Sequence, residues 1–372
     1  MYYCHFFYIK INIMNENEIN DIRQQKDFKK TTLSGYKRSD VKKIIIKSID
    51  NRKIEDACYW SAELICAGHF IDLWDIILKY MSNVIHLGNP KLPIYIDMRF
   101  NNFKEILSNG YIDNELKMRN NEKIRQLFSE VICIICLSRK NNTFDIPKIK
   151  LDDYNIGLNR GKLQADKINY GEKIMSKEDP KELFIAINEL CWNLKKNVYN
   201  ATNAFYWIEW VINFENICNK TKKTKVKLVG HRRNMPVADG FQKHIIWMIW
   251  EILLYYGKQK SEGIFKIISS LLNLFCIKFK PSSIKKRRLL IYHSIFLITE
   301  PIKNEIPIYD KKNANIIQNV KNKINIIYKQ IKKNEQKPKT DYLFNNSMNK
   351  NLEKTIAKLD KMDKLSNFMI RN

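Results

Sequence analysis

No stretch of the 372 residues approaches the run of about 18 apolar side chains that spans a bilayer, so no transmembrane helix is expected. Apolar and polar residues never alternate at a period of two for long, which argues against a β architecture. The chain has no G-x-x-x-x-G-K-[S/T] phosphate loop, no G-x-G-x-x-G after a strand, no H-E-x-x-H and no G-x-S-x-G. No nucleotide cofactor, catalytic metal or activated nucleophile is therefore expected, and no catalytic residue is named. Cys133 and Cys136 form a single C-x-x-C without a companion pair at zinc-site spacing. The six histidines are scattered, and His69 and His86 merely flank one helix.

Acidic residues are also in short supply. Lys and Arg outnumber Asp and Glu by 65 to 39, a net charge of +26. Such an excess favours a polyanionic partner, nucleic acid or an anionic surface. An A+T-rich coding sequence would raise lysine as well, along with the Asn and Ile that abound here. Most of the eight cysteines sit in apolar helical stretches, where a thiol acts as a small hydrophobe, as expected in a reducing intracellular compartment. Met1–Ile13 is apolar and aromatic but lacks a small-residue cleavage site, so it reads poorly as a signal peptide. Met14 opens a more ordinary start and is a candidate initiator.

What is present is helical periodicity. Residues 1–38 read as a flexible lead-in. Ser39-Asp40 starts a helix ahead of Val41, Ile44, Ile45 and Ile49, and Gly68 ends the next one. Gly88-Asn89-Pro90 is a turn, and further helices are expected at 93–107 and 121–137. Residues 141–178 are polar and glycine-dotted, which suggests a linker. Asp179-Pro180-Lys181-Glu182 opens a second set, with helices at 181–195, 199–217, 241–258, 261–276 and 285–299. Residues 306–372 form a basic tail. Within it Ile316, Val320, Ile324, Ile327 and Ile331 make one narrow apolar stripe, and Leu352, Ile356, Leu359 and Met362 a shorter one. The expected fold is all-α: two tandem helical bundles, 39–140 and 179–305, plus this amphipathic extension.

The two bundles share a pattern. Ala57-x-Tyr59-Trp60 matches Ala204-x-Tyr206-Trp207, each soon followed by a glutamate, Glu63 or Glu209. Leu73–Tyr80 matches Ile249–Tyr256, and Lys123–Leu137 matches Lys286–Ile298, in the same order. Three matches in one order predict a duplicated helical unit. Aromatic pairs at equivalent places in apolar helices read as core packing rather than as base-stacking platforms.

Two basic runs are the candidate binding residues. Lys285, Lys286, Arg287 and Arg288 open a helix, where positive charge opposes the macrodipole; tolerating that cost points to another benefit, such as phosphate binding. Lys222, Lys223 and Lys225, followed by Arg232 and Arg233, form the second run. Contact with phosphates through these residues would be independent of sequence.

Lys53–Ile96 resembles the C-terminal collar region of clamp-loader-like AAA+ proteins of the Werner-helicase-interacting type. Asp56 and Ala57 before Tyr59-Trp60, the Gly68 turn and the Gly88-Asn89-Pro90 turn carry the likeness. It implies a surface for self-association or protein partners. The ATP-binding motifs of that family are missing, so ATPase activity does not carry over. The Asn/Ile/Lys bias, with strings such as HLGNPKLPIY, is similar to proteins of large DNA viruses of protists and implies an infected cell, or the virion, as the setting. Three functions follow as expectations: a non-enzymatic scaffold acting on or near nucleic acid, a virion-internal packaging protein, or a helical enzyme with a site assembled from distant residues.

Overall fold

The computed structural model describes residues 17–112, 114–155, 157, 160–222, 228–302 and 306–336, and of 220–222 the backbone alone. The fold is all-α. Eleven α-helices and no strand occur among the described residues: α1 (Arg38–Asp50), α2 (Ile54–Cys66), α3 (Phe70–Tyr80), α4 (Leu92–Ser108), α5 (Glu122–Leu137), α6 (Phe184–Asn193), α7 (Ala201–Lys222), α8 (Ile246–Lys260), α9 (Glu262–Phe275), α10 (Ile284–Thr299) and α11 (Ala314–Lys332). Their starts follow local chemistry. Asn121 and Ser261 cap α5 and α9 by accepting from Ile124 N and Ile264 N, each at 3.2 Å. Pro93 occupies the first turn of α4.

Two glycines set corners in the first half of the chain. Gly68 lies at φ 77°, its N–H donates to Ile65 O and the next N–H, from His69, to Leu64 O. This is a Schellman closure of α2, and the left-handed position suits glycine. Gly88 has a different reason: a Cβ there would stand 2.2 Å from the carbonyl oxygen of Arg139. Beside it the Asn89 amide donates to Ser138 Oγ and Ile308 O, at 3.2 and 2.9 Å. The turn thus joins three distant stretches of backbone.

Buried residues from Ile19 to Ile331 form one continuous core. α1 packs on α2, α2 on α5 and α4 on α5; in the second half α6 packs on α7, α7 on α10 and α9 on α10. Other pairings differ, since α8 lies along α9 while α3 leans on α10. Trp74 and Trp250 are both fully buried, and Tyr206 and Trp207 are buried where Tyr59 and Trp60 are half-buried. The halves meet through α4 on α9 and α3 on α10. Helix α10 is buried at nearly every position from Leu289 to Thr299, with α3, α7, α8 and α9 around it.

Three expectations need correction. Residues 17–38 are not a flexible lead-in: Ile19, Phe28 and Leu33 are buried, and Ile22 N donates to Gln336 O. Residues 141–178 are irregular but packed, with Phe144 against Phe205, Tyr292 and Phe296 and with Tyr154 on Trp210. α11 is not a tail, because it packs on α5 and α2 through Ile317, Ile324, Tyr328 and Ile331. Its inward face is displaced from the expected stripe, so Ile316 is 42% exposed. Met1–Ile13 and the segment 350–363 lie outside the described residues.

The π-helical turn Met81–Ile85 carries α3 to His86, at φ 25°. His86 and His293 approach to 6.4 Å between ring centroids, and both are buried, as is His69. Burial holds all three below the usual histidine range, His293 at about 3 with His86 adding to the effect. The rings are therefore neutral in the fold, while an unfolded chain protonates them below about pH 6.5. The unfolded state then binds more protons, so stability falls as pH drops from about 6.5 towards the folded values, by up to ~1.4 kcal/mol per pH unit for each ring. Urea midpoints should decrease from pH 7 to pH 5, and His293→Gln should flatten the decline. A midpoint flat over this range would contradict the burial of neutral imidazoles.

Candidate nucleic-acid interface

The first turn of α10 separates its cations by direction. Lys285 and Lys286 are exposed, whereas Arg287 is buried. Arg287 Nη1 donates to Phe275 O at 3.0 Å and also to Ile277 O, and Nη2 lies 3.4 Å from Asp75. The guanidinium thus sits on the negative C-terminal end of α9, a favourable place that offsets its position at the start of α10. Burial lowers its pKa from the usual arginine value, and Asp75 opposes the change. Arg288 donates to Glu209 Oε2 at 3.0 Å, and Glu209 also accepts from Tyr292 and from Asn213 Nδ2. Glu209 is thereby the buried link between α7 and α10, not a free carboxylate.

The second run divides in the same way. Arg233 is buried in a forked pair with Asp179, at 2.9 and 2.7 Å, and reaches Glu251 at 2.5 Å. Burial would raise the Asp179 pKa, but Arg233 and the N–H groups of His231 and Ser176 hold it below its usual value. Arg232 is exposed and pairs with Asp239 at 3.0 Å, a surface contact of small worth. Lys222 closes α7, while Lys223 and Lys225 lie outside the described residues.

Of the candidate residues in the two basic runs, Arg233 and Arg287 are turned inward, and Arg288 is tied to Glu209. Lys285 and Lys286 remain outward. Lys285 lines a cavity of about 320 Å³ whose wall also includes Glu215 and Asn216 of α7, His244 and Ser282. α7 therefore brings Glu215 and Asn216, ahead of its last turn, to the first turn of α10, and an acidic side chain shares that wall with Lys285. The cysteines are spectators here. Burial raises Cys133, Cys136, Cys191 and Cys276 to about 12, so these thiols stay protonated and inert. The described residues contain no group of three or more side chains suited to a metal ion, and His69 and His86 do not converge: His69 meets Thr31 O, His86 meets Asn142 O.

Sequence reasoning did not single out Arg119 and Arg125. Both are buried, and neither has an acidic partner at ion-pair distance among the described residues. Isolated arginines without a run or motif around them give no signal in sequence.

No family model, curated protein or solved structure matches this chain.

The contrast between Arg233 and Arg232 is directly measurable. Arg233→Gln leaves Asp179 buried without its cation and should cost about 3–5 kcal/mol in urea unfolding. Arg232→Gln should change stability by less than about 1 kcal/mol. Similar small costs for both would show that Arg233 is solvated.

Proposed function

We propose that this chain is a non-enzymatic helical scaffold that binds nucleic acid without sequence preference, through phosphate contacts at the end where α7 finishes and α10 begins. The observation that supports this best is the division of cations on α10. Arg287 and Arg288 are neutralised inside the protein, yet Lys285 and Lys286 are exposed and in no described ion pair, on the turn of α10 that faces Glu215 and Asn216 of α7. Two lysines at a helix N-terminus oppose the dipole and are not compensated by a described ion pair, which a phosphate backbone would relieve. The overall charge of +26 favours the same partner.

A second surface suits a protein partner or another copy. Ile316 and Ile326 of α11 are 42% and 58% exposed, and they border an apolar groove shared with Ile54 and Cys58 of α2. The compositional likeness to proteins of large DNA viruses of protists supports a viral genome as the polyanion, inside an infected cell or its particles.

The test is the salt dependence of binding to a mixed-sequence DNA duplex, read by fluorescence anisotropy. Lys285→Gln/Lys286→Gln should weaken binding to all sequences alike and flatten the log–log salt slope by roughly one to two units. An unchanged slope in this folded variant would assign the two lysines to ordinary solvated surface.

A further inference from the structure

A second cavity lies away from the α7–α10 end, between residues 18–26 and residues 111–120. Its volume is about 770 Å³, within the range of small-molecule sites. Four cations line it, Arg23, Lys26, Lys117 and Arg119, against two carboxylates, Glu18 and Asp21. The Asp21 carboxylate is already engaged: it pairs with Arg23 and accepts from Arg23 N and Gln336 N. Arg23 is thereby neutralised, and the remaining charge of the wall is positive.

Arg119 is the unusual member. It is 6% exposed, yet it has no acidic partner at ion-pair distance among the described residues. It meets two carbonyl oxygens, Cys66 O and Asp21 O, each at 3.3 Å. Burial lowers its pKa from the usual arginine value. Asp21 and Glu335 attract the guanidinium from beyond ion-pair distance, but burial outweighs them, and two long carbonyl bonds offset little of its cost. Behind it Arg125 is equally buried; its Nε donates to Arg119 O at 2.8 Å and its guanidinium lies 4.1 Å from the Tyr328 ring centroid. The wall itself is braced. Asn120 Oδ1 accepts from Ile19 N and Nδ2 donates to Ile19 O, at 2.9 and 3.0 Å, which fixes residues 18–26 against the 3₁₀ turn Glu115–Asn120. A rigid wall that presents a desolvated guanidinium with no carboxylate at ion-pair distance among the described residues is prepared for an anion.

We propose that this cavity binds the phosphate group of a small phosphorylated ligand, with Arg119 as the buried anchor and Lys117 and Lys26 at the mouth. A guanidinium suits this role because its planar fork matches two phosphate oxygens at once. The site is independent of the nucleic-acid reading, since none of its residues belongs to the α7–α10 end.

The test is calorimetric titration of the full chain with inorganic pyrophosphate at constant ionic strength. Saturable binding at one site per chain is expected. Lys117→Gln, at an exposed position, should weaken it about tenfold, the loss of one charge-assisted contact. Arg119→Lys should weaken it at least as much, with the thermal unfolding midpoint reporting whether the fold is kept. Lys285→Gln/Lys286→Gln should leave it unchanged, so failure here and failure of the nucleic-acid reading are distinguishable. Competition by a 5′-phosphorylated oligonucleotide but not by its 5′-hydroxyl form would assign the phosphate to a nucleic-acid end, and competition by neither would assign it to a free ligand; both results support the site. No saturable binding, or binding that Lys117→Gln leaves intact, would overturn it.

Discussion

The burial of α10 is the constraint on which the rest of the structure depends. A helix surrounded by α3, α7, α8 and α9 must settle most of its polar side chains without water, although Arg287 Nε and His293 Nε2 have no hydrogen-bond partner among the described residues. Ser294 and Thr299 donate back to Leu290 O and Ile295 O, four residues earlier. Tyr292 and Arg288 share Glu209 of α7, and Arg287 closes the last turn of α9. Arg287, Arg288 and Tyr292 thereby tie α10 to α9 and α7, and the two halves of the chain share one core rather than touching as separate bundles. The same requirement decides which cations of the first turn belong to the interior and which remain for a partner.

Irregular backbone is held by a related device. With no sheet among the described residues, buried acidic and amide side chains take the backbone N–H groups that a strand partner would otherwise take. Glu63 of α2 accepts from Ser34 N and Oγ. Glu189 of α6 accepts from Gln164 N and Ala165 N, and Asn188 from Tyr170 N and Gly171 N. Asp179 accepts from Ser176 N and His231 N while it holds Arg233. The long loops are therefore parts of the folded body, anchored at a few points.

This explains what was legible in the sequence. Helices were, because period and punctuation are local: α4, α5 and α10 fall within one residue of the ranges expected from spacing, and Gly68 closes α2 as its position implied. Residues 17–37 and 141–180 were not, since Ile19, Phe28 and Phe144 follow no period and their anchors lie far away in the chain. The face of α11 was misplaced because adjacent isoleucines, Ile316 and Ile317, allow either registration. For the candidate site, the location of the basic runs was readable and the fate of each cation was not. Density of charge does not reveal that Arg233 has Asp179 as a partner, 54 residues away. Arg119 was invisible for the converse reason: its significance lies in the partner it lacks.

The assignment of outward and inward cations is tested most directly by hydrogen exchange of the full chain with and without a saturating mixed-sequence DNA duplex. Slowed exchange at residues 213–222 and 281–287, with residues 291–298 unchanged because they are already buried, is the expected result. Protection confined to other faces of the protein, or none at a duplex concentration where binding is saturated, would contradict it.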